Sequence, residues 1–301
     1  MTITQLKYVL AVAEHQNFTK AAEHVFVTQP TLSMQIQKLE EELNILIFDR
    51  SKKPIELTEV GKKIVNQARN IVNESERMQD VVDQEKGFIG GVFKIGIIPT
   101  IMPTLLPMFL KSFTNKYPKV HLKIEELTTS EIITKLNDGH LDAAIAATPL
   151  VQEKIKERVI YFEPFVGYVP KSHRLYSKSK LDRSDLDIND ILLLEDGHCF
   201  RDGVINICKS LKKNTATDSF QLESGSFETL IKLSNEGFGM TLLPYLNTLE
   251  IPKEEQKKYL RYFNEPSPAR EVSLLYKKSE LKMQIIDALY DVIAGVIRGA
   301  I

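Results

Sequence analysis

The chain has 301 residues, of which 43% are hydrophobic, and a formal net charge of −1 at pH 7. This length predicts two or three domains, and the charge balance gives no overall attraction to nucleic acid or to a membrane surface. No apolar run reaches membrane-spanning length and the first residues carry no secretory signal, so we expect a cytoplasmic protein without a membrane partner.

The first sixty residues contain three apolar patterns with helical spacing. Thr28 is a candidate cap of the third helix, with Pro30 in its first turn. Two short helices joined by a tight turn, the second polar on its outer face, predict a helix-turn-helix whose second helix enters a major groove. The residues predicted to face inward from the three helices are Leu6, Val9, Leu10, Ala13, Ala21, Ala22, Val25, Leu32, Ile36 and Leu39.

A basic segment follows the third helix. Lys52 and Lys53 precede Pro54, with Arg50 just ahead, and this pattern predicts a wing that contacts phosphates. Residues 1–60 hold six Lys/Arg and eight Asp/Glu, however. The charge count shows no basic surplus that would favour DNA binding. A three-helix module that binds another protein therefore stays an alternative.

The segment from Thr58 to about Glu85 has no proline and predicts one long helix. Alternating steps of four and three produce a heptad-like apolar stripe, which favours packing against a partner helix. Packing onto the chain's own body is the alternative. The stripe residues assigned to dimerisation are Ile64, Ala68, Ile71, Met78 and Val82.

The remaining two thirds alternate strand and helix patterns, which predict an α/β domain with a largely parallel sheet. Predicted strands include residues 92–98, 120–127, 141–146, 165–169, 191–194 and 271–276, and predicted helices cover about 104–115, 130–137, 227–235 and 281–298.

Both cysteines lie near one stretch, Glu195 to Asp202. Cys199 directly follows His198, and Cys208 comes nine positions later in a pattern that predicts a short helix reaching Leu211. Nine helical residues would separate the two cysteines by roughly 13 Å, whereas a disulfide needs Cα atoms within about 7 Å. A disulfide would therefore require the helix to unwind, although two inert buried thiols are the alternative. No Cys/His cluster has the spacing of a zinc site, so we expect no metal ion and no cofactor.

The N-terminal motifs resemble the winged helix-turn-helix of LysR-type transcription regulators. The motifs that carry the resemblance are Thr28-Gln29-Pro30-Thr31-Leu32-Ser33, Leu39-Glu40-Glu41-Glu42-Leu43, Phe48-Asp49-Arg50 and Leu57-Thr58-Glu59-Val60-Gly61. The resemblance implies a DNA-binding domain at 1–58, a linker helix and hinge at 59–89, and a regulatory domain at 90–301. The regulatory domain would be similar to periplasmic binding proteins, with subdomain I at about 90–164 and 267–301 and subdomain II at about 165–266. The residues expected to contact promoter DNA are Thr28, Gln29, Pro30, Thr31, Ser33, Gln35, Gln37, Lys38, Arg50, Lys52 and Lys53.

Four further motifs resemble the OxyR group, the peroxide-sensing members of this family. They are Ile97-Ile98-Pro99-Thr100, Leu193 to Asp202 with Cys208, Phe227-Glu228-Thr229-Leu230 and Gly239 to Pro244. The resemblance implies that hydrogen peroxide oxidises Cys199 and that Cys208 then forms a disulfide with it. It also implies that Thr100, Thr129, His198 and Asp202 bind peroxide or water, and that Arg270 supports the thiolate, although Arg270 alone would equally suit an exposed ion pair.

The same resemblance implies a homodimer or homotetramer, contact with RNA polymerase, and thioredoxin or glutaredoxin as reductant. The thiol chemistry would be a single-turnover switch, so we do not expect an enzyme. Two alternatives remain: a LysR-type regulator that binds an organic acid or amino acid and has inert cysteines, and a thiol peroxidase that uses Cys199 and His198.

Overall fold

The computed structural model describes residues 1–85, 89–208 and 224–301. Residues 86–88, in the predicted hinge, and Leu211 lie outside the described residues. The chain divides into two compact units, one before residue 89 and one from Ile89 to Ile301. Within the described residues, no helix is long and apolar enough to cross a membrane.

The first unit is a winged helix-turn-helix followed by a long helix. Its elements are α1 (Ile3–His15), α2 (Phe18–His24), α3 (Gln29–Leu43), β1 (Phe48–Asp49), β2 (Glu56–Leu57) and α4 (Glu59–Glu85). Strands β1 and β2 pair antiparallel and form the predicted wing. Leu32, Ile36 and Leu39 of α3 are fully buried, which confirms the predicted inner face of this helix.

The second unit is built on a mixed sheet. Its elements are β3 (Gly91–Ile97), α5 (Met102–Lys116), β4 (Val120–Glu126), α6 (Thr129–Asn137), β5 (Ala143–Thr148), β6 (Ile155–Tyr168), β7 (Lys180–Leu181), two 3₁₀ turns (Arg183–Asp185 and Ile188–Asp190), β8 (Ile191–Leu192), α7 (Cys199–Ile207), α8 (Phe227–Asn235), β9 (Met240–Pro244), α9 (Tyr245–Thr248), α10 (Lys253–Tyr259), β10 (Leu260–Phe263), β11 (Ala269–Lys277) and α11 (Met283–Ile297).

The prediction of a largely parallel sheet is wrong. Strands β4, β3 and β5 run parallel, but β11 pairs antiparallel with both β5 and β6. The 14-residue β6 extends further and pairs antiparallel with β9 and β10. Strand β6 carries the chain from one set of strands to the other, and β11 carries it back. Because β11 runs antiparallel to both β5 and β6, the strand direction changes in the middle of the sheet.

Two separate hydrophobic cores lie on this framework. One is formed mainly from β3, β4, β5, β11, α5 and α11, and the other from residues between Phe165 and Phe263. We call the part of the second unit that surrounds the first core subdomain I, and the part that surrounds the second core subdomain II. Near the crossing point, the Phe165 N–H donates to the Pro268 carbonyl at 2.9 Å. The exact domain boundaries stay a prediction.

Candidate redox site

Cys199 is the first residue of α7, and His198 occupies the N-cap position. The short strand β8 ends at Leu192, so Cys199 begins the helix that follows the connection from this strand. The N-terminus of a helix carries unpaired N–H groups and the positive end of the helix dipole. The thiolate is the form of cysteine that reacts with peroxide.

A cavity of about 860 Å³ opens beside Cys199. Thr129, Asp202 and Arg270 line it together with the thiol, so the fold brings four of the predicted site residues to one place. Thr129 is the first residue of α6, and its buried hydroxyl has no hydrogen-bond partner among the described groups.

Arg270 is buried, which excludes the exposed ion pair considered from sequence. Its Nη2 lies 2.7 Å from Glu163 Oε2, and its Nη1 donates to the Thr100 hydroxyl at 2.9 Å. Its guanidinium also lies 5.1 Å from the centre of the ring of Phe200, the residue that follows Cys199 in the chain. Glu163 additionally accepts a hydrogen bond from the Leu246 N–H at 3.0 Å. Glu163 is therefore a site residue that the sequence reasoning missed.

Thr100 and His198 are not among the described residues that line the cavity. Their binding of peroxide or water stays a prediction. The Thr100 hydroxyl and carbonyl both accept hydrogen bonds from Arg270, so Thr100 positions the guanidinium. His198 is 8% exposed, and its Nε2 lies 3.4 Å from Glu195 Oε1. A methyl group on Gly225 would lie 3.0 Å from the same nitrogen and 3.0 Å from Glu195 Oε1, so a larger residue there would require these side chains to shift by a few tenths of an ångström.

Cys208 terminates α7 and is buried in the core of subdomain II. Burial raises the pKa of its thiol to about 11, and the nearby carboxylates of Asp187 and Asp190 act in the same direction. Cys199, in contrast, packs at the edge of the core of subdomain I. Both thiols are free, and the two lie at opposite ends of a nine-residue helix.

Helix α7 is held by its middle residues. Phe200 and Val204 are each 2% exposed and belong to the core of subdomain II. The Phe200 ring contacts Phe165 and Phe227 at centroid distances of 4.9 and 5.0 Å. Bringing Cys208 to Cys199 would therefore remove these aromatic contacts as well as the helical hydrogen bonds.

Most residues predicted to contact DNA are exposed on the first unit. Two, Ser33 and Gln35, are partly buried; the exposed ones are Thr28, Gln29, Pro30, Thr31, Gln37, Lys38, Arg50, Lys52 and Lys53. Gln35 accepts a hydrogen bond from the buried Gln5 amide at 3.2 Å, so part of its side chain packs against α1. Whether each of the others contacts DNA stays a prediction.

Arg50 has a structural role within the first unit. Its Nη2 pairs with Glu40 at 2.8 Å, and its guanidinium lies 5.1 Å from the centre of the Phe18 ring. Glu40 is 4% exposed and also accepts hydrogen bonds from the N–H groups of Ile47 and Phe48. This carboxylate fastens α3 to the wing, and the sequence reasoning did not identify it.

The apolar stripe of α4 is not uniform. Ala68 is 1% exposed and packs in the core of its own unit, which removes it from any surface that a partner helix could contact. Ile64 and Ile71 are partly covered by the same core. Met78 and Val82 are 72% and 42% exposed, so the available part of the stripe lies in the second half of the helix.

Comparison with known proteins identifies the family. Residues 3–62 match the bacterial regulatory helix-turn-helix proteins of the lysR family, and residues 86–297 match the LysR substrate binding domain. The DNA-binding transcriptional dual regulator OxyR of Escherichia coli K12 is 32% identical over 279 residues, which cover 92% of this chain and 90% of that protein.

Solved structures of similar proteins agree with this result. A full-length OxyR variant from Pseudomonas aeruginosa superposes with a TM-score of 0.76 at 33% identity, covering 98% of both chains. A mutant OxyR of Corynebacterium glutamicum with bound hydrogen peroxide has a TM-score of 0.65 at 27% identity, covering 99% of this chain and 93% of that one. The chain thus belongs to the LysR family of DNA-binding transcription regulators and is of the OxyR type.

Proposed function

We propose that the protein senses hydrogen peroxide through Cys199 and changes its action on promoter DNA when a Cys199–Cys208 disulfide forms. The observation that carries this proposal is the placement of Cys199 at a helix N-terminus, beside a cavity that Arg270 and Thr129 line. The similarity to a peroxide-bound OxyR structure supports hydrogen peroxide as the ligand of this cavity.

The proposed chemistry balances without a further oxidant. The Cys199 thiolate attacks one oxygen of hydrogen peroxide, the O–O bond breaks, and a sulfenic acid and hydroxide are formed. The hydroxide takes up one proton and becomes water. The Cys208 thiol then displaces the hydroxyl of the sulfenic acid, which leaves as a second water when the disulfide forms. A dithiol reductant of the thioredoxin or glutaredoxin type reverses the reaction by exchange.

The signal is the rearrangement of α7. Its nine residues span roughly 13 Å at a rise of about 1.5 Å each, whereas a disulfide requires Cα atoms within about 7 Å. The disulfide therefore cannot form until α7 unwinds and Cys208 leaves its core. Two states of one segment, selected by oxidation, constitute a switch. We further propose that the exposed end of the α4 stripe pairs two chains in a homodimer, from which a homotetramer that contacts RNA polymerase is built.

A regulator that binds an organic acid is the second candidate, because the cavity volume lies within the range of small-molecule sites. The charges argue against an organic anion. Arg270 is paired with Glu163, while Asp202 and Glu271 add negative charge to the lining beside Arg183. The carboxylate of such a ligand would meet a lining with as many acidic as basic side chains.

Intact mass under non-reducing conditions tests the proposal. We expect one equivalent of peroxide to convert reduced wild type to a species lighter by two hydrogens, with Cys199 and Cys208 linked in one peptide pair. A Cys208→Ser variant should accumulate a sulfenic acid that a dimedone-type reagent traps, and Cys199→Ser should do neither. A footprint on promoter DNA, recorded reduced and oxidised, then reports the change in protected length.

Three outcomes would contradict the proposal. The first is equal oxidation of the Cys199→Ser variant and the wild type. The second is steady peroxide turnover at catalytic protein concentration without DNA binding, which would indicate a thiol peroxidase. The third is an unchanged footprint after complete disulfide formation.

A further inference from the structure

Three potential metal ligands meet in the first unit. The ligand atoms of Glu14, His15 and His24 all lie within 4.8 Å of one another. His15 is the last residue of α1 and His24 is the last residue of α2, so the fold brings the ends of two helices together. The spacing of the two histidines along the chain matches no zinc motif, so the sequence alone predicts no metal ion here.

A buried nitrogen of His15 is a second, independent observation at this cluster. His15 Nε2 is inaccessible to solvent and has no hydrogen-bond partner among the described groups. Buried polar atoms in proteins are nearly always paired, and an unpaired one needs an explanation. The His15 and His24 rings have centroids 4.8 Å apart and are tilted by 55°, so they are not stacked face to face.

The local electrostatics favour a cation. The C-terminus of a helix carries partial negative charge, and here two helices end beside the Glu14 carboxylate. Two imidazoles and one carboxylate form a ligand set typical of zinc and of other first-row transition metals.

We propose that Glu14, His15 and His24 bind one divalent transition-metal ion, with water completing its coordination. Bonds of about 2.1 Å in tetrahedral geometry place ligand atoms about 3.4 Å apart. The three side chains must therefore approach by up to about 1.4 Å, and Glu14 and His24 are exposed and can move.

The bound ion would connect α1 to α2, the helix that precedes the predicted recognition helix. The next residue after His15 also reaches the wing, because the Gln16 carbonyl accepts a hydrogen bond from the Ile55 N–H at 3.2 Å. Metal binding at this position would make the helix-turn-helix unit more resistant to unfolding, since a ligand that binds only the folded state stabilises it.

Titration of the full-length protein with Zn²⁺ or Co²⁺ tests the site. Thiols also bind these ions, so the titration uses the Cys199→Ser/Cys208→Ser protein, freed of metal with a chelator. We expect one saturable equivalent, a Co²⁺ absorption spectrum typical of nitrogen and oxygen ligands, and a higher midpoint of thermal unfolding. Affinity should fall at least about tenfold in both His15→Ala and His24→Gln, since even second-layer changes at metal sites cost about that much.

The controls separate a lost ligand from a lost fold. His121 is exposed on β4 in the second unit, so His121→Ala should bind the ion as tightly as its parent. His24 is exposed, so His24→Gln should keep the far-ultraviolet circular dichroism of the parent. The proposal is overturned if the thiol-free protein binds no stoichiometric ion, or if His15→Ala and His24→Gln both bind it unchanged.

Discussion

Arg270 and Glu163 form an ion pair between side chains that are 7% and 1% exposed, with Nη2 and Oε2 2.7 Å apart. The pair fixes the guanidinium at the wall of the cavity beside Cys199, and Thr100 holds it from a second side. The positive charge at this wall is therefore both immobile and partly compensated.

Removing Glu163 should destabilise the second unit strongly. Glu163→Ala leaves Arg270 buried without its partner, and breaking buried pairs in this way costs about 3–5 kcal/mol of unfolding free energy. Urea unfolding followed by circular dichroism measures the loss. Glu236 is exposed, so Glu236→Ala serves as a control that should stay within about 0.5 kcal/mol of wild type. An equal effect of both variants would contradict the role given to the pair.

The Cys208 thiol should make stability depend on pH above 9. Burial, aided by Asp187 and Asp190, raises its pKa from 9.0 to about 11 in the folded protein. Between these values the unfolded chain loses a proton that the folded chain keeps, so the free energy of unfolding falls as pH rises. The loss should reach about 1.4 kcal/mol at pH 10 and be negligible below pH 8.

Comparison with a Cys208→Ala variant isolates this contribution from other groups that titrate in the same range. The difference in unfolding free energy between the two proteins should be constant up to pH 8 and shrink by the stated amount at pH 10. A difference that does not change between pH 8 and pH 10 would mean that Cys208 ionises equally in both states.

Sequence patterns identified the local features of the site and missed the contacts made through space. The position of Cys199 at a helix start follows from the apolar run before it and the helical spacing after it, and both are local signals. Glu163 could not be identified this way, because it stands between the run Val159 to Phe162 and Pro164, where a charged residue looks like the exposed end of a strand. Only the pairing of β6 with β11 brings Glu163 opposite Arg270.

The same difference between local patterns and contacts through space explains why the sequence did not reveal the burial of Ala68 and Glu40 in the first unit. Ala68 satisfies the heptad pattern, but α1 packs along α4 and covers it. Glu40 lies in a run of three glutamates that looks solvent-exposed, yet it alone of the three is buried. A one-dimensional pattern does not show which side of a helix a neighbouring element occupies.

The buried Glu40 should matter more for DNA binding than its exposed neighbours, although we expect it to contact no DNA. Glu40→Ala removes the acceptor of two backbone N–H groups and the partner of Arg50. We expect a loss of about 2–4 kcal/mol in the stability of the first unit and weaker binding at every DNA sequence. Glu42→Ala removes an exposed carboxylate that pairs with the amino group of Met1, so it should change stability by at most about 1 kcal/mol and leave DNA binding unaltered. If Glu42→Ala weakens binding as much as Glu40→Ala, the proposed role of Glu40 is wrong.

Lys38 should contribute a phosphate contact without selecting a sequence. Its side chain is exposed on α3. Lys38→Ala should weaken binding about equally across DNA sequences and reduce the slope of log affinity against log salt by about 1. Lys123→Ala, which removes an exposed lysine from β4, is the matched control. Fluorescence anisotropy at several salt concentrations measures both slopes, and an unchanged slope in Lys38→Ala would exclude the contact.

The exposed half of the α4 stripe should control dimer formation. Met78 is 72% exposed, and a charge at this position would be buried in the proposed interface. Met78→Glu should raise the dimer dissociation constant by at least about tenfold, which corresponds to about 1.4 kcal/mol. Asn70→Asp adds a charge at another exposed position of the same helix and should leave the dimer intact. Sedimentation equilibrium distinguishes the two, and an unaffected dimer in Met78→Glu would place the interface elsewhere.

The most direct test of the switch is hydrogen exchange across Cys199–Ile207 before and after one equivalent of peroxide. In reduced protein we expect protected amides in this helix, because its hydrogen bonds and the buried Phe200 and Val204 hold it closed. Once the disulfide is complete, the same amides should exchange rapidly in wild type, and those of Cys208→Ser should remain protected. A complete Cys199–Cys208 disulfide in a protein whose helix keeps its protection would contradict the mechanism.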